Sequence, residues 1–206
     1  IATAFFNALS ITFPRGEAFF IESVRAFRDG VPAQLAGGIA AFIRQEVVHS
    51  REHLAFNRQV TDHGYDVSQL DADVTMVLDL ARQRPPIMSL AATMALEHFT
   101  AILAHELLRD PRYLDGADPD IAALWRWHAI EEIEHKGVAH DTWVHATRNW
   151  PRVRRWWVKS VMMLIVTKHF LHHRARGMME LLRQDGVTGV AAWGGLLRYA
   201  LVRPGI

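Results

Sequence analysis

The chain contains no cysteine. That excludes disulfides, thiolate zinc sites and a cysteine nucleophile, and it leaves histidine and carboxylates as the only strong metal ligands. A surplus of one charge is also missing: 23 Lys and Arg face 22 Asp and Glu, for a formal net charge of +1. There is thus no broad electrostatic footprint for nucleic acid, and no such partner is expected. Strand-like alternation is absent. The apolar run VKSVMMLIVTKHF cannot span a bilayer, because Lys159 and Lys168 bound only about eight uncharged residues against the roughly 20 required. No signal-peptide pattern opens the chain, so a cytoplasmic location is the default expectation, and a start at Ile1 implies that a few native residues are missing.

Half of the 206 residues are apolar, enough for one domain (1–206) to bury a core without staples. Nearly every segment has a helical period, so an all-α fold is expected. Proline and glycine punctuate it. Pro14 is read as the entry of a first helix, Arg15 to Asp29, and Pro32 opens a second that runs to His63 before Gly64. A crossover helix follows from Ser68 to Arg84, then one from Ile87 to Arg109 and one from Pro119 to Asn149. Pro151 separates a long helix to Gln184, and Gly186 precedes a short last one. Residues 15–149 would form a bundle, with 151–206 as covering helices.

Twelve histidines are many for this length, and several sit beside glutamates. In HAIEEIEH, His128, Glu132 and His135 fall at roughly 0°, 40° and −20° around a helix, close enough to converge on one point. In QEVVHSREH, Glu46, His49 and His53 fall at roughly 0°, −60° and −20°. The other helices each offer one inward carboxylate. Glu17 shares its stripe with Phe20, Ile21 and Val24, whereas Glu22 lies about 140° away. Glu97 sits among Leu90, Thr93, Met94, Ala101, Ala104 and Leu108, whereas Glu106 lies about 180° off. By the same test Glu131 is on the rim and Glu134 points away, while His98, His105 and Asp141 leave the stripe.

Any single Glu-x-x-His can be a salt-bridged surface pair. Two copies in order, with lone glutamates before and between them, match the ligand set of a dinuclear carboxylate site in a ferritin-like bundle. Four buried carboxylates also require a cation, since an unpaired buried charge costs several kcal/mol. Two metal ions are therefore expected. Without thiolates the bias is towards iron, with manganese or a mixed Mn/Fe pair as alternatives.

The order Glu17, Glu46-x-x-His49, Glu97, His128-x-x-x-Glu132-x-x-His135 resembles p-aminobenzoate N-oxygenase-type di-iron proteins, which add a third histidine to the ferritin-like set. The wording FPRGEAFF, FIRQEVVHSREHLAFN, ALEHFTAIL and WRWHAIEEIEHKGVAHD looks more closely like a bacterial family of predicted metal-dependent hydrolases, over roughly Phe13 to Trp143. The resemblance implies Glu17, Glu46, His49, Glu97, His128, Glu132 and His135 as ligands. His53 is read as a second, supporting layer around the ions or as packing, with an eighth ligand as the alternative. Thr100 is a tentative proton relay or a helix-packing threonine.

From the ligands, the first expectation is a di-iron oxidase or oxygenase that activates O₂ on a small, partly hydrophobic substrate, with an external electron donor. A hydrolase using a dimetal-bound hydroxide is the alternative. An iron-binding ferroxidase is a third, disfavoured because the chain is not acidic. In the Trp-rich segment, Trp156, Val161, Leu164, Ile165 and Leu171 are expected to cover the bundle. An interfacial helix at a membrane surface, or a homodimer contact through 155–175, is the other reading. His169, His172 and His173 read as a solvated face.

Overall fold

The computed structural model describes residues 1–202. It is all-α, and no strand occurs among these residues. The helices are α1 (Ala2–Arg25), α2 (Ala33–Asp62), α3 (Ser68–Arg82), α4 (Pro86–Arg109), α5 (Pro119–His135), α6 (Val138–Ala146), α7 (Arg152–Gln184) and α8 (Gly189–Leu201), with a 3-10 turn at Pro111–Leu114. Gly30 and Gly64 follow α1 and α2 with φ of 73° and 92°, the left-handed conformation in which a side chain would be strained. The last residues of the expected covering unit, 203–206, lie outside the described residues.

α1 ends at Arg25, short of the expected Asp29, and α6 ends at Ala146, short of Asn149; two larger departures each have a local reason. α1 begins at Ala2, and Pro14 lies inside it. Proline has no N–H to offer the carbonyl of residue 10, and that loss normally breaks a helix. Here the Ser10 carbonyl accepts from Asn57 Nδ2 of α2 at 3.1 Å, so the freed acceptor is satisfied from outside. Ala4, Phe5, Ala8, Leu9, Ile11 and Phe13 then bury the extra turns. The segment read as one helix from Pro119 to Asn149 is two, because the chain turns at Lys136–Gly137 directly after His135. Glycine is a weak helix former, so this is where the run yields.

Two apolar clusters fill the interior. One gathers Phe5, Leu9, Phe13, Ala104, Leu107, Trp125 and Ala129, and the other Phe19, Phe20, Phe42, Leu90, Ala95 and Trp143. Along α1 the boundary between them falls at Glu17, and along α4 at Glu97 and Thr100. A polar layer thus divides the core across its long helices. α4 is the one described helix long and apolar enough to cross a membrane, yet 56% of its apolar window is buried. It packs on α1, α5, α6 and α7 as the centre of the assembly.

α7 faces the other way from the expectation. Trp156, Leu164, Ile165 and Leu171 are exposed, and Val161 is only half-buried. Its buried face is formed instead by Met162, Val166, Gly177, Met178, Leu181 and Leu182. Leu108, expected beside Glu97, is exposed as well. Buried Arg174 clasps α7 to α1 by donating to the Ala8 carbonyl and, at 3.3 Å, to Thr12 Oγ1. Burial lowers its pKa to about 10.

α7 packs tightly at Gly177, where a Cβ would lie 3.1 Å from Ala8 Cβ of α1 and 3.3 Å from Leu70 Cδ2 of α3. Gly177→Leu should cost about 1–3 kcal/mol through overpacking, despite its better helix propensity. Gly194 of α8 has nothing within 4 Å, so Gly194→Ala should raise stability by up to about 1 kcal/mol. Urea unfolding of both variants checks the opposite signs.

Candidate metal centre

Four helices converge on the polar layer. α1 brings Glu17, α2 brings Glu46, His49 and His53, α4 brings Glu97 and Thr100, and α5 brings His128, Glu132 and His135. All seven expected ligands, and His53, are buried, none more than 4% exposed. The stripe arithmetic holds: Glu22 reaches Arg82 at the surface, and Glu134, His98, His105 and Asp141 are exposed.

Ligand atoms of Glu46, His49, Glu132 and His135 lie within 4.8 Å of one another, and those of Glu17, His53 and His128 form a second such group. His135 joins the glutamates, with Nε2 3.4 Å from Glu46 Oε1 and Nδ1 3.4 Å from Glu97 Oε2. Few of these atoms are satisfied. Glu17 Oε1, both oxygens of Glu46 and Glu97, Glu132 Oε2, His49 Nδ1 and both nitrogens of His135 are buried without a hydrogen bond. Each such atom forfeits its hydration for nothing, at roughly 1–3 kcal/mol and more when charged. Acceptors arranged this way fit a cation.

The electrostatics agree. Burial holds the Glu17 and Glu46 carboxyls well above the usual range, and the neighbouring carboxylates Glu97 and Glu132 push the same way. Glu97 is raised to about 7 by burial and by Glu132. For Glu132 burial is outweighed by the hydrogen bond to His128 and by the neighbouring histidines, and its pKa falls to about 2. His49 is lowered to about 3, chiefly by burial, and His53 is lowered for the same reason. For His135 burial is overcome by Glu97 and Glu132, and its pKa rises.

Hydrogen bonds orient the rings. His49 Nε2 lies 2.9 Å from Glu131 Oε2, which can only accept, so Nε2 carries the hydrogen. Its Nδ1 lone pair then faces Glu46 Oε2 at 3.8 Å and Glu132 Oε1 at 3.7 Å. A longer chain sets His128. Ser10 Oγ donates its one hydrogen to Asn57 Oδ1 at 2.7 Å and therefore accepts from His53 Nδ1 at 2.8 Å. Neutral His53 must then accept at Nε2 from His128 Nδ1, 2.5 Å away. That leaves His128 Nε2 opposite Glu132 Oε1 at 2.8 Å, two acceptors that need a proton or a metal between them. Both His53 nitrogens are thus engaged, by Ser10 and His128, while its ring also belongs to the second group of ligand atoms.

Several supporting residues carry no signal readable from helical period. Glu131 was placed on the rim, yet it fixes the His49 ring in the carboxylate–histidine pairing that often surrounds metal ligands. Ser50 Oγ donates to Glu17 Oε2 at 2.7 Å, and Ser10 and Asn57 anchor His53. Thr100 donates its hydroxyl hydrogen to the Glu97 carbonyl at 3.0 Å, the ordinary bond of a helix-packing threonine. It also lines a cavity of about 40 Å³ whose lining includes His128 and Glu132. The walls are mainly apolar, including Phe6, Leu9, Phe13 and Leu103, with Glu106 and Tyr113 among the polar residues and, among the described residues, no Lys or Arg.

Fold and site together define an all-helical protein with buried His/Glu clusters suited to metal. The chain belongs to the family of predicted metal-dependent hydrolases, which matches over residues 1–206. No curated protein and no solved structure matches it.

Two outcomes follow for metal binding. Glu131→Ala leaves His49 without its partner and should weaken metal affinity about 10–100-fold while the protein stays folded, as read by metal titration and circular dichroism. The second concerns pH. Glu17, Glu46 and Glu97 have raised pKa values, so in the metal-free protein their stabilising, protonated state is present at low pH and is lost as pH rises through the folded values. A bound cation reverses that loss by replacing the protons. The rise in Tm on metal addition should therefore grow from about pH 5.5 to about pH 8 in differential scanning calorimetry.

Proposed function

We propose that this chain is a metal-dependent hydrolase working on a neutral, largely apolar substrate. Its two metal ions would be held by Glu17, Glu46, His49, Glu97, His128, Glu132 and His135. The observation that carries this reading is the set of buried, unpaired carboxylate and imidazole atoms converging from four helices. Family membership supports the reaction class. When bound, such ions supply a water of lowered pKa and polarise the oxygen of a carbonyl group.

The protein's own residues do the rest. Glu131 and His53 hold the His49 and His128 rings so that one nitrogen of each faces the centre. The carboxylates offset the charge of the ions, and the apolar clusters on either side exclude bulk water. Substrate would enter the cavity, where His128 and Glu132 are part of the lining. Phe6, Leu9, Phe13 and Leu103 select an apolar acyl portion, and the absence of Lys or Arg from the lining disfavours phosphate or carboxylate substrates.

A second reading is favoured by one observation. The donor set, three imidazoles and four carboxylates without thiolate, suits iron that reduces O₂, and an apolar cavity admits that gas. An external electron donor would then be needed. Oxygen dependence separates the two. Protein loaded with Zn²⁺ or Mn²⁺ should hydrolyse a chromogenic acetate ester under argon, and Glu132→Ala should lose on the order of 100-fold or more of that rate. No turnover under argon, together with substrate-dependent O₂ uptake by the reduced iron form, would replace the hydrolase reading with the oxygenase one.

A further inference from the structure

The exposed face of α7 has a composition that the metal centre does not explain. From Thr142 to Met179 the sequence contains no Asp or Glu, while Arg148, Arg152, Arg154, Arg155, Lys159 and Lys168 all fall in it. None of Arg152, Arg154, Arg155, Lys159 and Lys168 takes part in an ion pair among the described residues. Arg154 lies instead over the Trp150 ring at 3.9 Å, and Lys159 lies 5.7 Å from the Trp143 ring.

Along this helix Val153, Leu164 and Leu171 fall within about 40° of Trp157, with Lys168 and Arg154 beside them at roughly 20° and 60°. The stripe is about 27 Å long. Val153 is 77% exposed, Trp157 60%, Leu164 72% and Leu171 59%, and Trp156 on the flank is 65% exposed. Val166, on the opposite side, is buried against the bundle. The helix therefore carries two apolar faces, only one of which the fold covers.

We propose that this second face of α7 docks on an anionic lipid bilayer, with the helix lying in the plane of the interface. Trp and Leu would dip into the headgroup boundary while Arg154 and Lys168 beside the stripe meet the lipid charges, the pattern of a helix that lies on a membrane; Arg152, Arg155 and Lys159 lie about 140–160° away on the side of the bundle. Charge complementarity selects the bilayer over a second copy of this chain. Two copies joined through this stripe in either direction bring Arg154 and Lys168 of one, with no acidic residue between Val153 and Leu171, against those of the other, and like charges across an interface oppose association. This surface is independent of the reaction at the metal centre.

Co-sedimentation of the full chain with vesicles tests the proposal. Phosphatidylglycerol vesicles should carry the protein down at low salt and release it as salt rises, whereas pure phosphatidylcholine vesicles should not. Trp156→Ser/Trp157→Ser/Leu164→Ser should abolish binding. Arg154→Gln/Lys168→Gln should weaken it on the order of 25-fold, at about fivefold per charge near the surface. Trp156, Trp157, Leu164, Arg154 and Lys168 are exposed, so circular dichroism melts should stay unchanged. No binding to anionic vesicles at low salt, or equal binding by wild type and both variants, would overturn the proposal. So would a dimer in sedimentation equilibrium that the Trp and Leu substitutions dissolve, since the face would then belong to a second copy.

Discussion

The structure depends on one constraint: carboxylates from four helices are buried together with too few protons and hydrogen bonds to satisfy them. Glu17, Glu46, Glu97 and Glu132 come from α1, α2, α4 and α5; Ser50 donates to Glu17, and His128 Nε2 faces Glu132 Oε1 at 2.8 Å. Apolar packing above and below fixes the helices at this spacing. The carboxylates cannot relax outwards without breaking both clusters. A cation resolves the conflict, and the same conflict gives the site its affinity, because the groups that repel one another without a metal all favour it.

The histidines show how such a site is tuned. His49 and His128 stack with ring centroids 4.1 Å apart, each held at one nitrogen by a partner outside the ligand set. For His128 that partner is His53, itself held by Ser10 and Asn57. Asn57 has two tasks, because the same side chain caps the carbonyl that Pro14 leaves without a donor. The kink-prone point of α1 and the orientation of a metal-facing ring are thus tied to one amide on α2.

Much of the site was legible in the sequence, because helical period is a sharp test when a charged residue sits on an apolar stripe. Glu17 against Glu22 and Glu97 against His98 are separated by angle alone, and burial agrees in each case. Period says nothing about partners from other helices, however. It placed Glu131 on the rim without revealing that His49 would lie beside it, and it read Pro14 as a start because Asn57 is remote in sequence. The break after His135 was hidden for a different reason: a single glycine is often tolerated inside a helix. On α7, apolar residues lie on both faces, so pattern alone could not tell which face the bundle covers.

The central claim, that the convergent glutamates and histidines hold two metal ions, is tested most directly by anomalous diffraction from crystals of the protein loaded with Mn²⁺ or Fe²⁺. Two peaks should appear within the cage formed by Glu17, Glu46, His49, Glu97, His128, Glu132 and His135, at roughly 2.0–2.4 Å from ligand atoms. A metal-loaded crystal with no anomalous density in that cage, and with Glu17 and Glu97 paired to protein groups instead, would contradict the account.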